Sequence, residues 1–360
     1  MGTWPLSAGW REIEFGVEIE WVGAPQGAVQ LLPGWEIVAE DLLFFDDGRM
    51  VDPVTGDDVM GGELVSPRLT WEEREQIAAM CARLKALGAA GNWSCGLHVH
   101  ADGSRWGQAL LLPGLDAARA TEAALRRVLD TAPHRLDYAP PTTAALREAV
   151  ARLPAPAGPD AVLQRLVYGQ RPQEHRGGIN FRSLFEKGSV ELRLPNASLE
   201  PEAIYRTIEL WLRWVAAVGE GRELSASPAD LIRSLGAPAE GYPPRQDAPA
   251  WWWRRRAMDR ALYPVLLPLC REWVQELYPQ VNVPCDIVWI DGTAGDRVVA
   301  LAEAGDVKVY LVFGTGAGGW KRIEATTAWR PDLASGRPSP GDIPLSAAAG
   351  WSSGEKRPFP

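Results

Sequence analysis

The chain has 360 residues, 46% of them hydrophobic and 23% charged, with a formal net charge of −9. Such an apolar share fills a sizeable core over roughly two domains, which excludes a disordered or fibrous chain. The acidic balance excludes a protein built to coat nucleic acid or an anionic membrane, because both need a basic surface, and it leaves open acidic clusters that hold cations.

At the start of the chain, MGTWPLSAGWREIEFG has no basic stretch leading into an apolar run, and no uncharged apolar run reaches about 18 residues. The expectation is a cytoplasmic protein with no membrane partner. Next, Ile13, Phe15, Val17, Ile19 and Trp21 alternate with Glu12, Glu14, Gly16, Glu18 and Glu20, and period two predicts a strand with one apolar and one acidic face. Shorter strands are expected at 35–38, 42–45 and 63–66, with Asp46, Asp47 and Gly48 as a turn. Residues 71–88 read as a helix, since Ile77, Met80, Cys81, Leu84 and Leu87 recur at helical spacing and Gly88 ends it. A strand at 97–102 and helices at about 115–131 and 142–152 lead to a proline-rich connector at 153–159.

The segment GGINFRSLFEKGSVELRLP predicts a hairpin: Ile179 and Phe181 alternate with Asn180 and Arg182, Val190, Leu192 and Leu194 alternate with Glu191 and Arg193, and Glu186, Lys187 and Gly188 suit a turn. A helix begins near Pro201 and carries Ile204, Ile208, Trp211, Leu212 and Val215 on one stripe. Residues 250–278 look helical, with Pro264 and Pro268 expected to kink or divide them. From 283 the pattern changes to the short strands DIVWI, RVVALA, KVYLVF and WKRIEA, followed by a Gly/Pro/Ser-rich tail. The expected organisation is a main domain over 1–235, a helical connector over 236–280, a β-rich module over 281–330 and a tail over 331–360.

Four of these strands carry the chemistry. Glu18 and Glu20 share a face, Glu63 lies in GGELVSP, His98 and His100 share a face in CGLHVHAD, and Glu191 and Arg193 share a face in SVELRLP. On one sheet these side chains would line a single cavity. Carboxylate oxygens with an imidazole suit Mg²⁺ or Mn²⁺, and Arg193 with Arg182 nearby supplies forked donors for phosphate, a combination that marks phosphoryl transfer. The plain alternatives are a solvated acidic strand face, ordinary histidine hydrogen bonding and a cross-strand pair of Glu191 with Arg193. Cys81, Cys95, Cys270 and Cys285 form no CxxC pair and read as reduced thiols, with Cys95 a small strand residue. GTGAGG at 314–319 reads as a hairpin turn, and WWWRRR at 251–256 as packed tryptophans with exposed arginines. The absence of any histidine after His175 excludes a Cys-His pair around Cys285.

Taken in order over about residues 12–217, FGVEIE, GGELVSP, CGLHVH, RGGINFRS and SVELRLPNASLEP resemble the amidoligase family, whose fold is similar to the catalytic domains of glutamine synthetase and glutamate-cysteine ligase. The resemblance implies an α+β fold: an antiparallel sheet with helices on one face, its polar face holding ATP and divalent ions, followed by the small C-terminal β-rich module. It implies that Glu18, His98 and Glu191 hold a nucleotide-side metal, that Glu20 and Glu63 hold a substrate-side metal, and that His100, Arg182 and Arg193 contact phosphates. Arg176 and Asn180 match the arginine and asparagine that precede the ExR strand, while a third carboxylate for the second metal has no match. Glu63, Arg193 and Arg182 are the implied catalytic residues. The implied activity is ATP-dependent joining of a carboxylate to an amine through an acylphosphate, with Mg²⁺ or Mn²⁺; the candidate substrates are free glutamate, a peptide, a cell-wall peptide and a protein side chain, among which the sequence does not choose. The absence of a GxxxxGK loop agrees with phosphate binding by metals and side chains. Competing readings are a non-catalytic binding or assembly protein that retains the fold, and a Glu/His metallohydrolase. The C-terminal module is expected to cover the acceptor.

Overall fold

Period-two alternation does what it predicts in the computed structural model, which describes residues 2–38, 40, 43–46, 60–154, 157–169, 176–280, 283–292, 297–304 and 307–326. The expected turn at Asp47 and Gly48, Leu42 of the third expected strand and the tail at 331–360 lie outside the described residues. Strand β1 (Phe15–Val22) turns Phe15, Val17, Ile19 and Trp21 into an apolar core. It lies inside a six-stranded sheet with β2 (Glu36–Val38), β3 (Gly61–Val65), β4 (Leu97–Asp102), β5 (Ile179–Asn180) and β6 (Ser189–Leu192), in the order β2-β3-β1-β4-β6-β5. Every neighbouring pair is antiparallel.

Helices α1 (Glu75–Ala86), α2 (Leu111–Val128) and α6 (Pro201–Gly219) share that core, where Ile77, Met80, Leu84, Leu115, Leu125, Ile204, Ile208, Trp211 and Val215 meet Leu64, Leu97, Val99, Val190 and Leu192. Each such side chain contributes about 1.5–3 kcal/mol by leaving water. Pro201 opens α6 at its first turn, where its missing N–H costs nothing. The indole N–H of Trp211 donates to Val190 O at 3.1 Å, which ties α6 to β6. The helix expected at 71–88 resolves into a short 3-10 segment, Trp71–Arg74, closed by a Thr70–Glu73 capping box, and then α1. Helix α2 starts earlier than expected because Pro113 falls in its first turn, where proline is tolerated.

Helices α3 (Ala144–Ala151) and α4 (Pro159–Leu163) follow, and then the expected hairpin takes a different course. Strand β5 stops at Asn180, and a one-turn helix α5 (Ser183–Glu186) replaces the tight turn. The Asn180 side chain causes this by accepting from Arg182 N at 3.1 Å, which curls the chain before Phe181 and Arg182 can extend the strand. Helix α7 (Pro228–Leu235) closes the N-terminal unit, which ends at Ala248.

From Pro249 the chain forms a second compact unit: helix α8 (Ala250–Leu277) and the strands β7 (Cys285–Gly292), β8 (Arg297–Ala304), β9 (Val307–Gly316) and β10 (Gly319–Thr326), in the order β10-β9-β8-β7. Ile287, Ile290, Ala300, Val309, Leu311 and Phe313 pack on Leu266, Cys270 and Val274 of α8. The expected division of this helix does not occur. Pro264 and Pro268 are four residues apart on its exposed side, where the carbonyls they release are open to solvation. GTGAGG is the β9–β10 turn. In WWWRRR, Trp252 is buried and Trp253 is exposed, while Arg255 pairs with Asp291 at 2.6 Å and Arg256 is buried with Asp259 on its own helix face. The arginines are therefore less exposed than expected, because helical spacing places Trp252, Arg256 and Asp259 on one side. Among the described residues no helix is long and apolar enough to cross a membrane.

Candidate active site

Antiparallel register brings the acidic and imidazole residues together. Glu20 lies opposite Glu63 across β1–β3, Glu18 opposite His98 across β1–β4, His100 opposite Glu191 across β4–β6, and Asn180 opposite Glu191 across β6–β5. Directly paired residues project from the same face, so all of them occupy the side of the sheet away from the apolar core. Glu18, Glu20, His98, His100 and Glu191 are nonetheless buried.

The His98 ring is the hub. Its Nδ1 lies 3.1 Å from Glu18 Oε2, 3.4 Å from Glu63 Oε1 and 3.9 Å from Glu191 Oε1, and its Nε2 lies 3.6 Å from Glu20 Oε1. The His100 Nε2 lies 3.1 Å from Glu18 Oε1, and its Nδ1 meets Ser189 Oγ at 2.9 Å. Arg193 donates to Glu191 at 2.7 Å, and Asn180 and Ser183 donate to the other Glu191 oxygen at 2.6 and 3.0 Å. Lys187 donates to Glu18 at 2.7 Å.

These contacts sort the titrations. Burial raises the Glu18 carboxyl, but the His100 charge and hydrogen bonds from both histidines overcome it and hold the group well below the usual carboxylate range. For Glu191 burial is likewise overcome, chiefly by Arg193, and the group is lowered. Glu63 moves the other way: burial and the Glu18 charge raise it against the His98 hydrogen bond. Burial and Arg193 press the His98 imidazole down, yet its bonds to Glu18 and Glu63 and the Glu20 charge raise it to about 9.

Three groups of side chains bring ligand atoms within 4.8 Å of one another: Glu18, Glu63 and His98; Glu18, His100 and Glu191; and Glu20, Glu40 and Glu63. Glu40 is the carboxylate that sequence reasoning missed. It follows β2 by two residues, in phase with Val38, which lies opposite Glu63. Lys187, expected only as a turn residue, is the other addition.

Arg182 goes elsewhere. Its guanidinium donates to Leu163 O and Leu166 O at 2.8 and 3.2 Å and to Glu186 at 3.0 Å. Arg176 is half-buried ahead of β5. Beneath Glu20, the buried Arg135 donates to Cys95 O at 2.8 Å and to Arg193 O at 3.1 Å. A Cβ on Gly96 would come within 2.3 Å of that guanidinium, so a larger residue there would push Arg135 off its two carbonyls, and the Gly96 N–H donates to Glu20 at 2.5 Å. Cys95 is buried with its thiol pushed up to about 12, mainly by burial, which fits an inert strand residue.

The donor set fits divalent ions with oxygen preference. Five carboxylates, those of Glu18, Glu20, Glu40, Glu63 and Glu191, gather with two imidazoles on one face, with Lys187 bonded to Glu18 and Arg193 to Glu191. A buried excess of negative charge calls for further cations. The Nε–H of Arg193 has no acceptor among the described residues, which suits an incoming anionic oxygen. A family model described as "Putative amidoligase enzyme" matches residues 26–215, so β2 to β6 fall within the match and β1 precedes it. No curated protein matches the chain.

Proposed function

The chain belongs to the amidoligase family, and from that premise we propose that it is an ATP-dependent carbon-nitrogen ligase that forms an amide or isopeptide bond through an acylphosphate. One observation carries the reading: Glu18, Glu20, Glu40, Glu63, Glu191, His98 and His100 converge on the buried polar face of one antiparallel sheet, with Arg193 and Lys187 beside them. A sheet with helices on its apolar side and such a polar face supports a glutamine synthetase-like catalytic domain.

In the reaction a substrate carboxylate oxygen attacks the γ-phosphorus of ATP, the bond to the bridging oxygen breaks, and ADP leaves. The amine nitrogen then attacks the acyl carbon, phosphate leaves, and the amine proton passes to the departing phosphate. Glu18, His98 and Glu191 on one side and Glu20, Glu40 and Glu63 on the other would hold Mg²⁺ or Mn²⁺, which would supply the positive charge an anionic acid needs beside a triphosphate. The chain's own part is electrostatic and positional. Arg193, fixed by Glu191 and by the Arg135 bond to its carbonyl, directs a guanidinium edge at phosphate oxygens. Lys187 adds a second cation on the α5–β6 turn. Burial of the cluster keeps water from the acylphosphate.

The test is ADP release with Mg²⁺ or Mn²⁺ over panels of carboxylates and amines, with mass spectrometry of the products. The expected result is release that needs a divalent ion and a carboxylate, is stimulated by an amine, and yields the condensed product. Nucleotide binding without turnover on any panel would support the binding-protein reading, and metal-dependent hydrolysis without ATP would support a hydrolase.

A further inference from the structure

A solvated helix face normally carries charged and polar side chains, and the last turns of α8 follow that rule, with Arg271, Glu272, Gln275 and Glu276 exposed. The preceding part of the same helix does not. From Ala250 to Pro268 its exposed residues are apolar except for Arg254 and Arg260, and none is acidic. Trp253 and Val265 keep 42% and 44% of their surface open, and helical spacing puts Ala257, Ala261, Pro264 and Pro268 on the same side as these two. The opposite side is the one that packs on the second sheet through Leu266, Cys270 and Val274. The helix therefore has two apolar faces, and the core uses one of them.

Charge is arranged by sign along the exposed face. Arg254 stands near the start of α8 and Glu272 near its end, both exposed, and neither pairs with a described residue. Residues 254 and 272 are 18 apart, about five turns or about 27 Å, so they fall on one line of the helix surface. Between them that line carries Ala261 and Val265. A face with an arginine at one end, a glutamate at the other and an apolar middle is its own complement when a second copy is turned about a two-fold axis through the midpoint, near residue 263. Arg254 then faces the partner's Glu272 at both ends, and Ala261 faces the partner's Val265. Small side chains at Ala257 and Ala261 let the two helices approach closely, and antiparallel helices also oppose their dipoles favourably.

We propose that α8 pairs antiparallel with α8 of a second copy of this chain, making a two-fold symmetric dimer through the second unit. Parallel pairing is disfavoured because it sets arginine against arginine and glutamate against glutamate at the two ends. An anionic membrane is a poorer occupant, since Trp253 and Val265 are the large apolar groups of the exposed stretch and the face ends in Glu272 and Glu276. The dimer is independent of the chemistry at the first sheet.

Sedimentation velocity of the full chain over a hundredfold range of concentration tests the pairing. A reversible monomer–dimer equilibrium is expected, weakened by salt because its end contacts are exposed ion pairs. Arg254→Glu and Glu272→Arg each put like charges at both ends and are expected to raise the dissociation constant about tenfold or more, while the variant carrying both restores it. Ala261→Arg, at the apolar centre, is expected to abolish the dimer. All three substituted side chains are exposed, and circular dichroism checks that each variant is folded. A chain that stays monomeric at every concentration overturns the proposal. So does a dimer indifferent to the charge reversals, which lies on another surface, and so does a dimer that the double variant fails to restore, which excludes the antiparallel register. Binding of a monomeric chain to phosphatidylserine vesicles would assign the face to a membrane and overturn it as well.

Discussion

Glu63→Gln separates a metal cluster from a stabilising salt-bridge network, because the two give opposite signs. Glu63 has ligand atoms within 4.8 Å of those of Glu18, Glu20 and Glu40, and its attraction is to the His98 ring at 3.4 Å. At an effective dielectric of about 20, each like-charge pair at 4.8 Å costs about 3.5 kcal/mol and an imidazolium at 3.4 Å returns about 5 kcal/mol. Repulsion wins, in line with the raised Glu63 carboxyl. The penalty is capped by proton uptake, about 3.7 kcal/mol at pH 7 for an ordinary glutamate. With EDTA present, Glu63→Gln is therefore expected to stabilise the fold by about 1–3 kcal/mol, or roughly 2–4 °C per kcal/mol for a domain of this size. A carboxyl raised on folding contributes most below its unfolded value and loses that contribution as pH rises through its folded value, so the advantage of the variant should grow from pH 4 toward pH 8. With Mg²⁺ the order should reverse: wild type gains about 2.7 kcal/mol at a hundredfold excess over Kd, and the variant, short of a ligand, gains less. Differential scanning fluorimetry in EDTA and in a Mg²⁺ series reads both signs. A variant that melts lower in EDTA, or that keeps the full Mg²⁺ shift, would refute the reasoning.

Glu191→Gln is expected to abolish ATP turnover while leaving a soluble, folded protein that is destabilised by about 3–5 kcal/mol, since Arg193 stays buried without its counter-charge; retained turnover counts against a catalytic role, and loss of soluble protein supports a purely structural pair. Acid unfolding followed by circular dichroism should show stability carried by Glu18 and Glu191 that is present above their unfolded value and lost as pH falls through their lowered folded values, and Glu191→Gln should remove part of that slope. The thiols of Cys81, Cys95 and Cys270, pushed up to about 12, and of Cys285, pushed up to about 11, all mainly by burial, should resist a thiol reagent at pH 8 until denaturant is added. A chain ending at Ala248 retains the first core and all of the Glu/His cluster, so it should fold and bind Mg·ADP; failure to fold would show that the first unit depends on the second.

Strands β1, β4 and β6 were legible because their alternation is unbroken, and alternation alone tells which side chains share a face. That is why Glu18, Glu20, His98, His100 and Glu191 could be grouped before any register was known. Glu40 was not legible: β2 is three residues long, lies at the sheet edge and is mostly exposed, so its period is weak and Glu40 falls just beyond it. Lys187 is joined to Glu18 across 169 residues, a contact set by the α5 turn rather than by spacing. Arg182 illustrates the reverse. Alternation placed it on a strand, but the Asn180 side chain bends the chain one residue earlier and aims the guanidinium at the Leu163 carbonyl of α4 and the Leu166 carbonyl just past it. Local side-chain-to-backbone bonds compete with period two, and at the end of the two-residue β5 the Asn180 bond prevails.

The same alternation that builds the core also builds the cluster, and the two halves of β1 pull in opposite directions energetically. Phe15, Val17, Ile19 and Trp21 gain from burial without needing any partner, whereas Glu18 and Glu20 are buried only in the company of His98, His100, Lys187 and the Gly96 amide, which answer their charge. A protein selected for stability alone would place apolar residues on both faces or let water reach the second. Retaining five mutually repelling carboxylates behind the sheet is consistent with a ligand that supplies the missing positive charge, and the fold can hold them in readiness because the apolar face opposite carries the stability. On that argument the metal-free chain is the less stable form, and the divalent ions and the anionic nucleotide are expected to bind cooperatively, each lowering the electrostatic cost of the other.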